Sequence, residues 1–399
     1  MFAGRGSQAE LIRIKGMPSG MPTQREALKS PSVAGPRGKP QRLNRLLKNL
    51  LLGGAAASSA AISCLFCVRA LAAEVRLSAF SAACLGVEVE KESLDQRMPN
   101  ALEHAILGAG GVGGMIGACL AHAGAAVTFV VRRESLAQYP RKVHLESPLG
   151  KFDANISVAA EVPPVDVLWI SVKATQLEPA LAAIKNPESV KTIIPLLNGI
   201  DHVALLRSRY GANRVIPATI AGEFERISAG QFAHRTPFAR LNVLSAGKEL
   251  LAATLDQLQK VGFECRFIDD EPTLMWGKLV FLAPFALTTS AADKPVGEIL
   301  SDPQLRSQGE ACVREACAVA VAEGAKVNAD KVLAGVAGMP GAMRSSMQKD
   351  VERHNQPELD AIAGPILRGA KRHGIAVPVT QKLVAEVEKR AGSAEIRPK

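Results

Sequence analysis

Aromatic residues are scarce in this chain, 4% of 399 residues with two Trp and two Tyr. That leaves too few stacking platforms for a protein that handles single-stranded nucleic acid. A charge excess is also missing from most of the chain. The net charge is +10, yet the first hundred residues hold 14 basic against 7 acidic side chains and the rest 34 against 31. No basic nucleic-acid surface is therefore expected on the body. The seven cysteines (64, 67, 84, 119, 265, 312 and 317) are odd in number and scattered, which excludes a disulfide framework. It points instead to free, packed thiols in a reducing, cytoplasmic compartment. Cys64 and Cys67 form a lone C-x-x-C without a second pair or a histidine, so no metal site is expected. Hydrophobic residues at 47% and charged residues at 22% are enough for a real core and exclude a wholly disordered chain.

The length suggests two to three domains of about 150 residues. Residues 1–48 mix Gly, Pro, Ser and ten basic residues without periodicity, which reads as disorder. Residues 49–68 carry no charge. The lead-in is too long for a signal peptide, and two glycines and three serines make a poor membrane anchor. Residues 1–97 are expected to be a dispensable extension or the product of a misplaced start, with Met98 just before the first strand signal.

From His104 the pattern sharpens. A short apolar run to Leu107 leads into Gly108-Ala-Gly110-Gly-Val-Gly113, then a small-residue helix ending at Gly124, then a second apolar run over 126–131. This is G-x-G-x-x-G inside a complete βαβ unit, the context that turns a weak motif into a dinucleotide site. Gly108 permits the turn, Gly110 lets a pyrophosphate approach, and Gly113 lets the helix pack on the strand. The helix N-terminus offers free N–H groups to the phosphates. At the end of the second strand, where NAD-binding proteins carry an acid, stand Arg132 and Arg133. A guanidinium there favours the 2′-phosphate of NADP(H) over NAD(H). Glu134 is the competing detail.

Buried parallel strands are expected at 165–172 and 192–197. Ligands of open α/β sheets bind beyond the carboxyl ends of the strands, where Lys173 and Asn198 stand. Asn198-Gly199 also fits simple turn chemistry. Asp269-Asp-Glu-Pro272 reads as a helix start. The 21 residues between Glu271 and Asp293 hold one charge, Lys278. A membrane span is not expected there, because Pro284 interrupts the stretch. A desolvated lysine at a domain interface suits a general acid, and a lysine snorkelling to the surface fits equally. Ser346 and Asp350 lie four apart on one helix face. Glu358 opens a further helix, where dipole complementarity alone would explain it.

These residues together resemble the ketopantoate reductases (2-dehydropantoate 2-reductases). The marks, over about residues 101–392, are Ile106–Gly114, Ser171–Gln176, Leu197–Gly199, Trp276–Leu279, Ser345–Asp350, Pro357–Asp360 and His373–Pro378. The resemblance implies an N-terminal Rossmann dinucleotide-binding domain, placed at residues 98–269, and an all-helical C-terminal domain like that of 6-phosphogluconate dehydrogenase, at 270–395. It implies reduction of 2-dehydropantoate to (R)-pantoate with NADPH, a step towards pantothenate and coenzyme A. Gly108, Gly110, Gly113 and Arg132 match the cofactor site. Lys173 and Asn198 match positions that contact cofactor and substrate. Lys278 matches the catalytic proton donor, Ser346 a substrate-holding residue and Glu358 the active-site acid.

Departures bear on the substrate. Leu282, Ala286 and Val296 stand where the family carries substrate-reaching asparagines, and Pro357 precedes the acid. A pocket without those amides favours a 2-keto acid with a more apolar tail. Two other readings stay open: a paralogous reductase of such an acid, and a non-catalytic NADPH-binding protein, though a pure binder needs neither Lys278 nor Glu358. The sequence leaves the oligomeric state undecided, a homodimer being the assembly considered.

Overall fold

The computed structural model describes residues 102–394. The readings for residues 1–97, with the apolar stretch 49–68, Met98 and the Cys64–Cys67 pair, lie outside the described residues.

Strand β1 (Glu103–Leu107) leads through the glycine loop into helix α1 (Gly111–His122) and strand β2 (Ala126–Val130). Strands β3 (Lys142–Ser147), β4 (Gly150–Asn155), β5 (Ser157–Ala159) and β6 (Val165–Ile170) follow, then α2 (Leu177–Leu181), β7 (Val190–Pro195) and α3 (Asp201–Tyr210). The main sheet is fully parallel in the order β5-β2-β1-β6-β7. The chain winds one way from β1 to β2 and the other way from β1 to β6. That reversal opens a crevice beyond the carboxyl ends of β1 and β6, the place where such sheets bind ligands. The strands are apolar along their whole length because both faces are covered: Ile106, Leu168, Trp169 and Ile194 are fully buried.

Two smaller sheets have no counterpart in the sequence reading. One runs β4-β3-β10-β9, with β9 (Phe224–Ser228) and β10 (Gln231–His234). The other runs β12-β11-β8, with β8 (Ala218–Ala221), β11 (Ala239–Leu244) and β12 (Phe263–Ile268), and α4 (Lys248–Lys260) packs on β12. Helix α1 lies between the main sheet and the first of these. A side chain at Gly117 would meet Phe129 at 2.1 Å, and one at Gly114 would meet Phe232 at 2.1 Å. The small residues of α1 therefore set how closely the layers approach.

After β12 the chain is helical throughout. Asp270 caps α5 (Glu271–Ala292) by accepting the Thr273 N–H at 3.0 Å, and Asp293 ends it in the left-handed conformation. Around α5 pack α6 (Val296–Ser301), α7 (Pro303–Ala322), α8 (Ala329–Ala337), α9 (Ser346–Glu352), α10 (Leu359–His373) and α11 (Pro378–Ala394). The expectation that Pro284 interrupts this stretch is corrected: α5 runs through it. Proline forfeits one backbone hydrogen bond, about 3 kcal/mol. Burial of Trp276, Leu279, Val280, Ala283 and Leu287 against α7, α10 and α11 offsets that loss several times over. By length and composition α5 is apolar enough to cross a membrane, but its apolar window is 72% buried inside the protein, as for a core helix. The four described cysteines, Cys119, Cys265, Cys312 and Cys317, are free.

Candidate active site

The cofactor loop is built by backbone geometry. Gly108 has φ +106°, closed to most side chains, and a side chain there would strike Val172 at 2.8 Å. Gly113 packs on the Gly108 carbonyl and the Ser171 hydroxyl. Gly110 differs, because a side chain there would meet nothing within 4 Å. The space above it is open, and no side chain caps α1, so the first N–H groups of the helix face that space free. This is the cradle a pyrophosphate requires. At the end of β2 the two arginines part company. Arg133 is paired with Glu161 at 3.1 Å, whereas Arg132 is exposed and has no ion-pair partner among the described residues. Glu134 is also exposed, in the short 3₁₀ turn Arg133–Ser135. These residues fit a dinucleotide carrying a 2′-phosphate.

Across the crevice, four elements bring the remaining candidates together. Lys278, on α5, donates to the Asn198 side-chain oxygen at 3.0 Å. Asn198, in the loop after β7, donates from its Nδ2 to Glu358 Oε2 at 3.0 Å. The other carboxylate oxygen of Glu358 accepts the Ala174 backbone N–H at 2.7 Å. The orientation of the Asn198 amide follows from its neighbours, since an ammonium can only donate and a carboxylate only accept. The result is a continuous chain: ammonium, amide, carboxylate, backbone N–H.

Glu358 is buried and stands at the N-cap of α10, yet it makes no capping bond to its own helix. Its side chain is spent on Asn198 and Ala174, so dipole complementarity is not its role. The Asn198-Gly199 turn is likewise more than a turn. Gly199 has φ +82°, and a side chain there would sit 2.2 Å from the Ala361 carbonyl of α10. The missing side chain lets the loop press against the helical half and carries Asn198 between Lys278 and Glu358. Burial pulls the Lys278 ammonium down from 10.5 to about 8, with the Glu358 charge acting in the opposite sense. A lysine at about 8 holds its proton at neutral pH and gives it up readily.

Lys173 lies beside this chain. Its ammonium is held by both oxygens of Asp350, at 2.7 and 2.8 Å. Two carboxylates of the helical half thus grip adjacent residues of one loop, Asp350 the Lys173 side chain and Glu358 the Ala174 backbone. Ser346 stands exposed at the start of α9, one turn before Asp350, and its hydroxyl has no hydrogen-bond partner among the described residues. Its neighbour Ser345 is the buried one, bonded to Thr289 at 2.8 Å and capping α9. Of the positions that depart from the family pattern, Leu282 is half-buried one turn after Lys278. Ala286 and Val296 are buried, and Val296 lines an apolar cavity of about 340 Å³ with Phe285, Ile299 and Leu333. The sequence reading missed the pairing of Asp350 with Lys173, although its i, i+4 spacing from Ser346 was the available signal. It also missed His202, buried four residues after Asn198.

An open glycine cradle at the switch point of a parallel sheet, facing a lysine of lowered pKa across the crevice, defines a nicotinamide-dinucleotide oxidoreductase with a Rossmann half and a helical half. The family comparisons narrow this. Residues 104–244 match the ketopantoate reductase PanE/ApbA family model, and residues 272–391 match the model of that family's C-terminal domain. The chain is 31% identical to a 2-dehydropantoate 2-reductase of Caulobacter vibrioides, over 70% of this chain and 96% of that one. It is 30% identical to the uncharacterized oxidoreductase YkpB of Bacillus subtilis, over 71% of this chain and 97% of that one. Among solved structures, a D-mandelate dehydrogenase with NADH and anilino(oxo)acetate shares the fold, with a TM-score of 0.66 at 22% identity over 74% of this chain and all of that one. The chain belongs to the ketopantoate reductase family and is an NADP-dependent oxidoreductase.

Proposed function

We propose that the protein reduces a 2-keto acid to the 2-hydroxy acid with NADPH, and that Lys278 is the proton donor. The observation that carries this is the unbroken chain from Lys278 through Asn198 and Glu358 to the Ala174 N–H. Bound NADPH supplies the hydride that goes to the carbonyl carbon. The protein supplies the rest. Gly108, Gly110 and Gly113 shape the pyrophosphate seat, Arg132 takes the 2′-phosphate and Lys173 lines the crevice at the nicotinamide end. Lys278 donates a hydrogen bond to the carbonyl oxygen, stabilises the charge that develops there and delivers its proton, so that the oxygen ends as a hydroxyl. Glu358 holds Asn198, which holds Lys278. Ser346, with its hydroxyl unbonded, is the side chain free to meet the substrate carboxylate.

Within that reaction, the family resemblance favours 2-dehydropantoate, giving (R)-pantoate for pantothenate and coenzyme A. The apolar Leu282, Ala286 and Val296 favour an acid with a more apolar tail, and the D-mandelate dehydrogenase neighbour was solved with anilino(oxo)acetate. The test is NADPH oxidation against a panel of 2-keto acids, from 2-dehydropantoate to branched and aryl ones, with Lys278→Met alongside. Turnover with at least one member, lost in the variant, is expected. NADPH binding without turnover of any keto acid would point to a non-catalytic binder.

A further inference from the structure

His202 takes no part in the chemistry set out above, yet it is one of the most enclosed polar groups near it. It is 7% exposed, on the first turn of α3. Two contacts tie α3 and the turn before it to the N-terminal half of α5. At one end Arg207 makes a bidentate pair with Glu271, both bonds 2.7 Å. At the other end Asn198, just before α3, meets Lys278. His202 lies between these anchor points, nearer in sequence to Asn198. Its Nε2 is buried and has no hydrogen-bond partner among the described residues. A bare buried nitrogen is costly to leave unmatched. The Lys278 charge is felt at this imidazole, and the ammonium carries the complementary deficit: it has three hydrogens to donate, and Asn198 takes one.

We infer that His202 is a positioning residue for Lys278: its Nε2 accepts a second ammonium hydrogen, directly after a small side-chain shift or through one water, and so aims the third at the substrate carbonyl. This rests on Lys278 being the proton donor. One bond to Asn198 leaves the ammonium free to swivel, and a second acceptor stops it. The ammonium also selects the tautomer, with the imidazole proton on Nδ1. Burial first, and the Lys278 charge second, hold His202 down to about 4, so the imidazole is neutral at any working pH and does not repel the lysine. The other charges around it are paired off. Arg207 on its own helix takes Glu271 of α5, Asp201 takes Arg368 of α10, and Glu358 is engaged by Asn198 and Ala174.

The test compares side chains that differ in where they present an acceptor. His202→Phe keeps a ring and loses the nitrogen. His202→Gln carries its amide out to the Nε2 position, and His202→Asn carries it only to Nδ1. The phenylalanine and asparagine variants are expected to keep the KM for NADPH and to lose kcat by on the order of tenfold, about the worth of one hydrogen bond. The basic limb of their kcat–pH profile should move to lower pH, because an acceptor that favours the ammonium is gone. Glutamine should restore both rate and profile. If the phenylalanine variant does not fold, the asparagine–glutamine pair makes the same comparison. A phenylalanine or asparagine variant with native kcat and native profile overturns the proposal, as does a glutamine variant worse than either, which would mark a packing role. Lys278→Met measured in parallel separates the two readings. If it is inactive while His202→Phe is native, only the role of His202 falls. If it turns over normally, the proton-donor assignment falls and takes this inference with it.

Discussion

The Ala174 N–H is a main-chain group, so one substitution removes it without touching a side chain of the site. Ala174→Pro deletes the donor and puts a ring carbon where the hydrogen pointed, which drives the Glu358 carboxylate from its 2.7 Å contact. The backbone is suited to the change. Lys173 has φ −63° and ψ 147°, the extended shape a residue before proline requires, and Ala174 is the first residue of a short 3₁₀ turn, where no local bond uses its N–H. Because Glu358 is only 7% exposed, water replaces the lost partner poorly. A charge-assisted bond of this kind is worth about 1.5–3 kcal/mol. Felt wholly in the transition state, that is a fall in kcat of roughly 10- to 150-fold. The pH dependence gives a second reading. Lys278 must be protonated to act, so the rate falls as pH rises through its value of about 8, which the Glu358 charge helps to raise. With the carboxylate displaced, that limb should move below 8. Ala174→Gly keeps the N–H and should behave as the native protein. The assay is steady-state NADPH oxidation across pH 6–10, roughly two units either side of the lysine value, with circular dichroism to check the fold. A well-folded proline variant with native kcat and an unmoved basic limb would refute the claim that this backbone bond holds the acid in place.

Three further outcomes are expected. Arg132→Ala should weaken NADPH by about 1.5–3 kcal/mol and spare NADH, as measured by fluorescence titration, while Arg133→Ala, already paired with Glu161, should cost less; equal weakening of both cofactors by Arg132→Ala would make that arginine structural. Lys278→Met should lower kcat by on the order of 10²–10⁴ while leaving NADPH binding intact. The same variant should unfold at equal or higher denaturant at pH 7, because the native fold lowers the lysine from 10.5 to about 8 and so binds its proton more weakly than the unfolded chain does. That penalty is complete below pH 8 and fades as pH rises towards 10.5, so the stability gap between variant and native protein should narrow from pH 7 to pH 10.

Much of the site was legible because its chemistry rests on residue types with few other reasons to stand where they do. The glycine spacing, an arginine in place of the acid after β2 and a single charge in an apolar helix each announce themselves in one dimension. The links between them do not. That Asn198 intervenes between Lys278 and Glu358, and that Asp350 takes Lys173, depends on contacts spanning 80 to 177 residues of chain. No periodicity records such contacts. The two small sheets escaped notice because their strands are short and mix polar with apolar residues, as in the Phe224–Ser228 edge strand. Pro284 misled in the other direction. A local rule about proline was outweighed by core packing visible only in three dimensions.

Gly199 has a mechanical consequence. At this residue the main chain of one half presses on the main chain of the other, with no room for a side chain before the Ala361 carbonyl. It therefore acts as an end-stop, setting how far the crevice can shut. A methyl group there is a shim of fixed thickness. It would hold Asn198 back from Glu358 and prop the cleft ajar, with every side chain of the site unchanged in kind. The width of the crevice is thus set by a gap between main chains as well as by the side chains of its walls.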